Sequence, residues 1–218
     1  MITQDIQLFA LPLGEQLTPS EWEALISVLP SDTLRKIKQY KLWQDCQRAL
    51  LGSTLIRWAL LPYCAEVLLH MTHDEYGRPS IAGHPHWQGD FNLSHSGDWI
   101  VLAVTTTGRI GIDIEEIKPV NKEIIHYALS EAELQLVSHQ PLHVFYELWT
   151  LKEACFKTGL LPIQSPHLLD TIDIKRTRKD LSTQLIYLDQ QHPVSICWNN
   201  ESTAINVTLL TRQQLLQR

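Results

Sequence analysis

Gly111-Ile112-Asp113-Ile114-Glu115 decides how the rest of the chain is read. Two large β-branched residues alternate with two acids, and successive side chains of a strand point to opposite faces. Ile112 and Ile114 therefore anchor one face in a core, while Asp113 and Glu115 leave the other face together. Two acids on one rigid face repel each other unless a positive charge lies between them, and a hard cation such as Mg²⁺ fills that role. An amphipathic strand whose acids simply face water has the same alternation, so the surrounding residues must decide between the two.

Upstream, residues 91–96 and 99–105 predict a hairpin around Gly97-Asp98, and residues 106–109 turn the chain into a strand over 110–117, closed by Pro119. On the first hairpin strand, Leu93 and His95 share one face, and Asn92, Ser94 and Ser96 share the other. These groups suit a phosphate, although a histidine near a turn is more often structural. No G-x-S-x-G elbow surrounds Ser94, which argues against hydrolase chemistry there. Downstream, the pattern predicts a helix over 142–157, ended by Gly159 and Pro162. Glu153 and Lys157 share one of its faces. They fit a surface ion pair worth roughly a few tenths of a kcal/mol. They also fit a third carboxylate for a metal, with an ammonium beside it for a phosphate oxygen; taken alone, the surface pair is the better reading.

Farther out, residues 6–11 predict a strand. Thr18 or Ser20 then caps a helix through residue 29, with Glu21 and Glu23 in its first turn. Pro30-Ser31-Asp32 restarts a helix carrying Arg35, Lys36, Lys38 and Lys41. A solvated helix surface accounts for most of these charges taken singly. Residues 45–61 have helical apolar spacing, with Arg48 in the first turns and Gly52 marking a close approach by another element. A short strand over 67–71, a turn over 74–77 and a polar loop over 83–90 follow. His84 and His86 lie in that loop without cysteines at zinc spacing, so a loop is the better reading than a metal site. Helices are expected over 121–128 and 131–138, the second with Ser130 as N-cap and Glu133 at the capping-box position. Strands are expected over 172–174, 184–188, 194–198 and 204–209, followed by a tail. Helices and strands come in two successive blocks, which predicts α+β organisation; no sequence repeat accompanies it.

At 218 residues the chain can form one large domain or two small halves. With 44% hydrophobic and 19% charged residues it is expected to fold rather than remain disordered. A net charge of -6 argues against general nucleic-acid binding. The four cysteines are widely spaced, no C-x-x-C pair occurs and no signal peptide is evident, so reduced thiols in a cytoplasmic protein are expected. No apolar run has the length of a membrane span.

Three motifs together, Phe91-Asn-Leu-Ser-His-Ser-Gly97, Gly111-Ile-Asp-Ile-Glu115 and Trp149-Thr-Leu-Lys-Glu153 with Lys157, resemble the 4′-phosphopantetheinyl transferases, most of all the surfactin-type class. The resemblance extends upstream through Glu75-Tyr-Gly-Arg-Pro79 and Gln47-Arg-Ala-Leu-Leu-Gly52, and is good over residues 30–157. It implies a monomer with a pseudo-twofold arrangement of two similar α+β halves and the active site in the cleft between them. Residues 1–107 would hold the nucleotide end of coenzyme A, and residues 108–218 the metal and catalytic residues. The implied reaction moves the phosphopantetheine arm of coenzyme A onto a serine of an apo acyl or peptidyl carrier protein and releases adenosine 3′,5′-bisphosphate.

By the same resemblance, Asp113, Glu115 and Glu153 match metal ligands for Mg²⁺ or Mn²⁺, and Lys157 matches the lysine beside the pyrophosphate. Glu133 matches an acid that serves as a base or orients a water. Ser94 and His95 match phosphate contacts, Gly77, Arg78 and Pro79 a loop at the nucleotide end, and Lys36 and Arg48 basic residues near the 3′-phosphate and adenine. Three departures stand out. Thr33 replaces a common lysine, Ala49 replaces a common hydroxyl residue, and Thr158-Gly-Leu-Leu-Pro162 replaces a Gly-rich segment. Two rivals are a catalytically weak relative that only binds coenzyme A or a carrier, and a Mg²⁺ enzyme that cleaves a nucleotide pyrophosphate with water.

Overall fold

The computed structural model describes residues 6–64, 67–74, 77–82, 87–137, 141–202 and 204–217. The first half begins with strand β1 (Ile6–Pro12), then helices α1 (Pro19–Ile26), α2 (Ser31–Ile37) and α3 (Trp43–Leu60). Thr18 caps α1 with a full capping box, its side chain taking the Glu21 N–H while the Glu21 carboxylate takes the Thr18 N–H. Strands β2 (Met71–His73) and β3 (Pro79–Ile81) form a small ribbon. Strands β4 (Asp90–Ser96) and β5 (Trp99–Thr105) form the expected hairpin. The second half contains β6 (Ile110–Ile114), helices α4 (Lys122–Ala128), α5 (Glu131–Val137), α6 (Pro141–Lys157) and α7 (Thr171–Thr177), and strands β7 (Ser182–Tyr187) and β8 (Pro193–Trp198). Strand β9 (Ile205–Leu209) and helix α8 (Arg212–Leu216) close the chain.

The fold is α+β in two halves, each a sheet backed by one long helix; the first sheet is antiparallel except for the parallel β1–β9 pair, and the second is antiparallel throughout. One sheet has the order β4-β5-β1-β9, with α3 packed on β5; the other has the order β6-β8-β7, with α6 across β6 and β8. The sheets share a core. Ile6, Leu8 and Ala10 of β1 and Val101 and Ala103 of β5 meet Ile110, Ile112 and Ile114 of β6 and Val194 and Ile196 of β8. Ile112 and Ile114 are buried in this layer, as their alternation requires. At about 1.5–3 kcal/mol per fully buried large aliphatic side chain, this layer holds the halves together.

Three expectations differ from the structure. Residues 172–174 lie in helix α7, because Asp170 accepts the N–H groups of Ile172 and Asp173 and starts a helix there. The strand expected at 67–71 begins only at Met71; Val67 and Leu68 instead pack into the apolar cluster that contains Leu50, Leu55 and Ile56 of α3. The expected tail contains α8, started by a Thr211–Gln214 capping box. Beyond residue 204 the chain crosses back, with β9 pairing in parallel to β1 and α8 packing against α1. The polar-loop histidines His84 and His86 and the turn residues Glu75 and Tyr76 lie outside the described residues.

Candidate active site

The site begins with a seam between the sheets. β4 and β6 are not joined by a backbone ladder; alternate side chains of β4 do the joining. Asp90 accepts the Ile110 N–H at 2.8 Å, Asn92 accepts the Ile112 N–H at 3.0 Å, and Ser96 Oγ accepts the Glu116 N–H at 3.0 Å. Each contact satisfies a backbone donor that would be costly to bury unpaired. Ser94 donates to Asp113 Oδ1 at 2.8 Å and Ser96 donates to Glu115 Oε2 at 2.9 Å. The polar face of β4 thus orients both acids of the opening motif.

Gly111 sets the other wall. A Cβ there would lie 2.0 Å from the Ala154 carbonyl oxygen and 2.9 Å from the Thr158 amide nitrogen. Helix α6 can therefore lie directly on β6 only over a glycine. This close approach brings Lys157 to Asp113, with Nζ 2.5 Å from Oδ1 and 3.3 Å from Ser94 Oγ. Of the two readings of Glu153 and Lys157, the surface ion pair along the helix gives way to this contact across the seam.

The remaining charge is negative. Asp113 is buried, and its Oδ2 has no hydrogen-bond partner among the described residues. Burial first, and then the Asp113 charge, raise the Glu115 carboxyl above the ordinary range. The same two causes push Glu153 up to about 7, against the opposing pull of Lys157. Among the described residues, no three His, Cys, Asp or Glu side chains stand close enough to hold an ion together. Even so, an orphaned carboxylate oxygen beside two acids that resist ionisation fits the chemistry of a hard divalent cation.

Arg78 is spent on structure. Its guanidinium bonds Asp90 at 2.5 Å, the Ile110 carbonyl at 2.9 Å and the Lys157 carbonyl at 2.6 Å, tying both halves to the end of α6. Neighbouring Gly77 takes a positive φ of 79° in the turn that presents it. Glu133 is likewise fully engaged. It has no exposed surface, pairs with the equally buried Lys152 at 2.6 Å, and accepts from the Ser130 N–H and from the N–H and hydroxyl of Thr171. Its sequence-predicted capping box with Ser130 is present. A carboxylate held by four donors has little capacity left to serve as a base.

Two cavities flank the seam. One, of about 520 Å³, is lined among others by Arg78, Pro79, Leu93, Glu153, Phe156 and Lys157. The other, of about 290 Å³, is lined among others by Lys36, Tyr40, Arg48, Ser53, His73 and His95. Pro79 and Leu93 line both, so the two cavities adjoin. Thr33 and Ala49 line the second cavity, so both departures from the family pattern fall inside it. Leu93 also packs over Gly52, where a Cβ would meet its Cδ2 at 3.0 Å. The His95 imidazole is disfavoured as a cation, by burial first and by the Arg48 charge second. Sequence reasoning missed His73, which fell between the expected strand and turn; at the end of β2 it lines this cavity.

Cations thus line one cavity, and the carboxylate–ammonium cluster of Glu153 and Lys157 lines the one beside it. A model of the 4′-phosphopantetheinyl transferase superfamily matches residues 109–209, and one of the 4′-phosphopantetheinyl transferase N-terminal region matches residues 16–107. The 4′-phosphopantetheinyl transferase gsp of Aneurinibacillus migulanus is 30% identical over 96% of this chain and 93% of its own. The 4′-phosphopantetheinyl transferase psf-1 of Bacillus pumilus is 29% identical over 98% of each chain. The 4′-phosphopantetheinyl transferase Sfp of Bacillus subtilis is 26% identical over 97% of this chain and all of its own. The chain belongs to the 4′-phosphopantetheinyl transferase family, in its surfactin-type class.

Proposed function

We propose that the protein transfers the 4′-phosphopantetheine group of coenzyme A to a serine of an apo acyl or peptidyl carrier protein, leaving adenosine 3′,5′-bisphosphate. The observation that carries this reading is the pair of adjoining cavities, with Lys36 and Arg48 in one and Glu153 and Lys157 in the other. The nucleotide would lie among the cations and the pyrophosphate beside Lys157. We assign residues 1–107 to the nucleotide end and residues 108–218 to the reacting end.

Asp113, Glu115 and Glu153 would hold Mg²⁺ or Mn²⁺, which when bound supplies positive charge to the pyrophosphate oxygens. Attack by the serine oxygen on the β-phosphorus, its hydroxyl proton passing to a nearby carboxylate, breaks the bond to the bridging oxygen and leaves negative charge on the departing bisphosphate. Lys157 offsets that charge from a position fixed by Asp113 and Ser94. Ser94 fixes Asp113, and Ser96 fixes Glu115, so the acids need not reorganise. Glu133 is left out of the catalytic set because its oxygens serve Lys152, Ser130 and Thr171.

A cytoplasmic monomer acting on a soluble carrier completes the reading. Among the described residues, no helix is long and apolar enough to cross a membrane. The test is to incubate the protein with coenzyme A, Mg²⁺ and several apo carriers, following carrier mass and nucleotide release together. Bisphosphate release matched to carrier modification is expected. Release without any carrier would point to hydrolysis, and no modification of any carrier would point to a binding-only relative.

A further inference from the structure

The cavity at the nucleotide end combines apolar walls with basic groups. Ile37, Tyr40, Ile56 and Leu93 line it together with Lys36, Arg48, His73 and His95, and among the described residues no carboxylate lines it. In a chain of net charge -6, such a cavity selects an anion attached to a flat, apolar body. Arg48 is partly committed, with one nitrogen on Asp45 at 2.9 Å and another on the Gly97 carbonyl at 2.9 Å. Thr33 brings a hydroxyl but no charge.

Resting on the coenzyme A reading, we infer that His73 is an additional contact for the 3′-phosphate of the nucleotide, and that this phosphate binds there together with a proton. His73 is the last residue of β2 and pairs with Pro79 of β3, so the ribbon holds it at the cavity mouth facing α2. The charged groups around it are Lys36 from α2, Arg48 from α3, His95 from β4 and its neighbour Asp74. His73 is exposed at the cavity mouth; the desolvation it does undergo, and then the Lys36 charge, favour the neutral imidazole, with Asp74 opposing more weakly. A phosphate dianion between Lys36 and His73 reverses the balance. It screens the lysine and accepts a charge-assisted hydrogen bond from the imidazolium. Binding then takes up a proton at mildly acid pH, and the contact fades as pH rises.

Calorimetric titration with adenosine 3′,5′-bisphosphate and with adenosine 5′-monophosphate tests this in buffers of different ionisation enthalpy. The proteins are wild type, His73→Asn and Lys36→Met, with equal melting temperatures checked first. Near about pH 6.5 wild type is expected to take up protons with the bisphosphate, and His73→Asn to lose most of that uptake and roughly tenfold in affinity. Near about pH 8.5 the two should converge, while Lys36→Met stays weak at both. The monophosphate should bind wild type and His73→Asn alike. Unchanged uptake in His73→Asn, or equal losses for both nucleotides, overturns the inference. Wild type that shows the proton-coupled binding yet modifies no carrier would refute the transferase reading and leave His73 standing. Wild type that modifies carriers but binds both nucleotides equally would do the reverse.

Discussion

The Lys157 ammonium lies 2.5 Å from Oδ1 of Asp113, while Oδ2 of the same carboxylate is buried without a hydrogen-bond partner among the described residues. One half of the carboxylate is neutralised and the other is held ready for a positive charge. The arrangement depends on Gly111, because any side chain there would push α6, and Lys157 with it, off the sheet.

Lys157→Ala leaves the Asp113 charge with Ser94 alone. Lys157 is about a quarter exposed, with 26% side-chain accessibility, so a stability loss of about 1–2 kcal/mol is expected rather than the larger cost of breaking a fully buried pair. The transfer rate should fall by about 10²–10³, the usual cost of removing a group that stabilises developing charge. Thermal melts and single-turnover rates check both; a near wild-type rate would remove Lys157 from the chemistry.

Glu153→Gln should separate function from stability. The folded-state pKa of Glu153 is raised from 4.5 to about 7, so between those values the folded protein binds more protons than the unfolded chain. Stability is therefore lost as pH rises through that window. Discounted for solvent screening, the penalty at alkaline pH is about 1–2 kcal/mol. In chelator, Glu153→Gln should melt higher than wild type near about pH 8 and equally near about pH 4, while transferring poorly. A lower melting temperature at alkaline pH would contradict the like-charge account of the cluster.

Arg78→Ala strands a buried Asp90 and frees the Lys157 carbonyl, and should cost about 3–5 kcal/mol in urea unfolding. Adding Asp90→Asn should restore part of that loss. If Arg78→Ala keeps full stability but loses nucleotide affinity, Arg78 is a ligand contact rather than a strut.

Arg78 also marks the limit of what the sequence discloses. Local patterns sufficed for α3, α6 and the β4–β5–β6 run, and period-two alternation correctly buried Ile112 and Ile114. Asp113 and Lys157 were both singled out, yet their contact is forty-four residues apart along the chain and needs Gly111 to bring α6 down. The seam had a legible signal in the alternating Asp90, Asn92, Ser94 and Ser96, but nothing local says that a side-chain ladder faces β6 across a twenty-residue offset. Helix α7 was missed because Ile172-Asp173-Ile174 alternates like a strand, while the Asp170 cap that settles it lies just before. The return of β9 to β1 has no local signature at all.

Glu133→Gln should act through the fold. The variant leaves Lys152 charged, with no exposed surface and a weakened partner, so a loss of about 3–5 kcal/mol is expected. Activity should follow the folded fraction. A slow enzyme with an unchanged melting temperature and an altered pH–rate profile would make Glu133 a catalytic base after all.

The most direct measurement is the intact mass of one apo carrier protein after incubation with coenzyme A, Mg²⁺ and either the wild-type protein or Asp113→Asn, which preserves shape while removing the charge. Wild type should add the mass of a single phosphopantetheine to the carrier, and Asp113→Asn should add essentially none while remaining folded. An equal mass gain with both proteins would contradict the proposed role of Asp113 at the centre of the site.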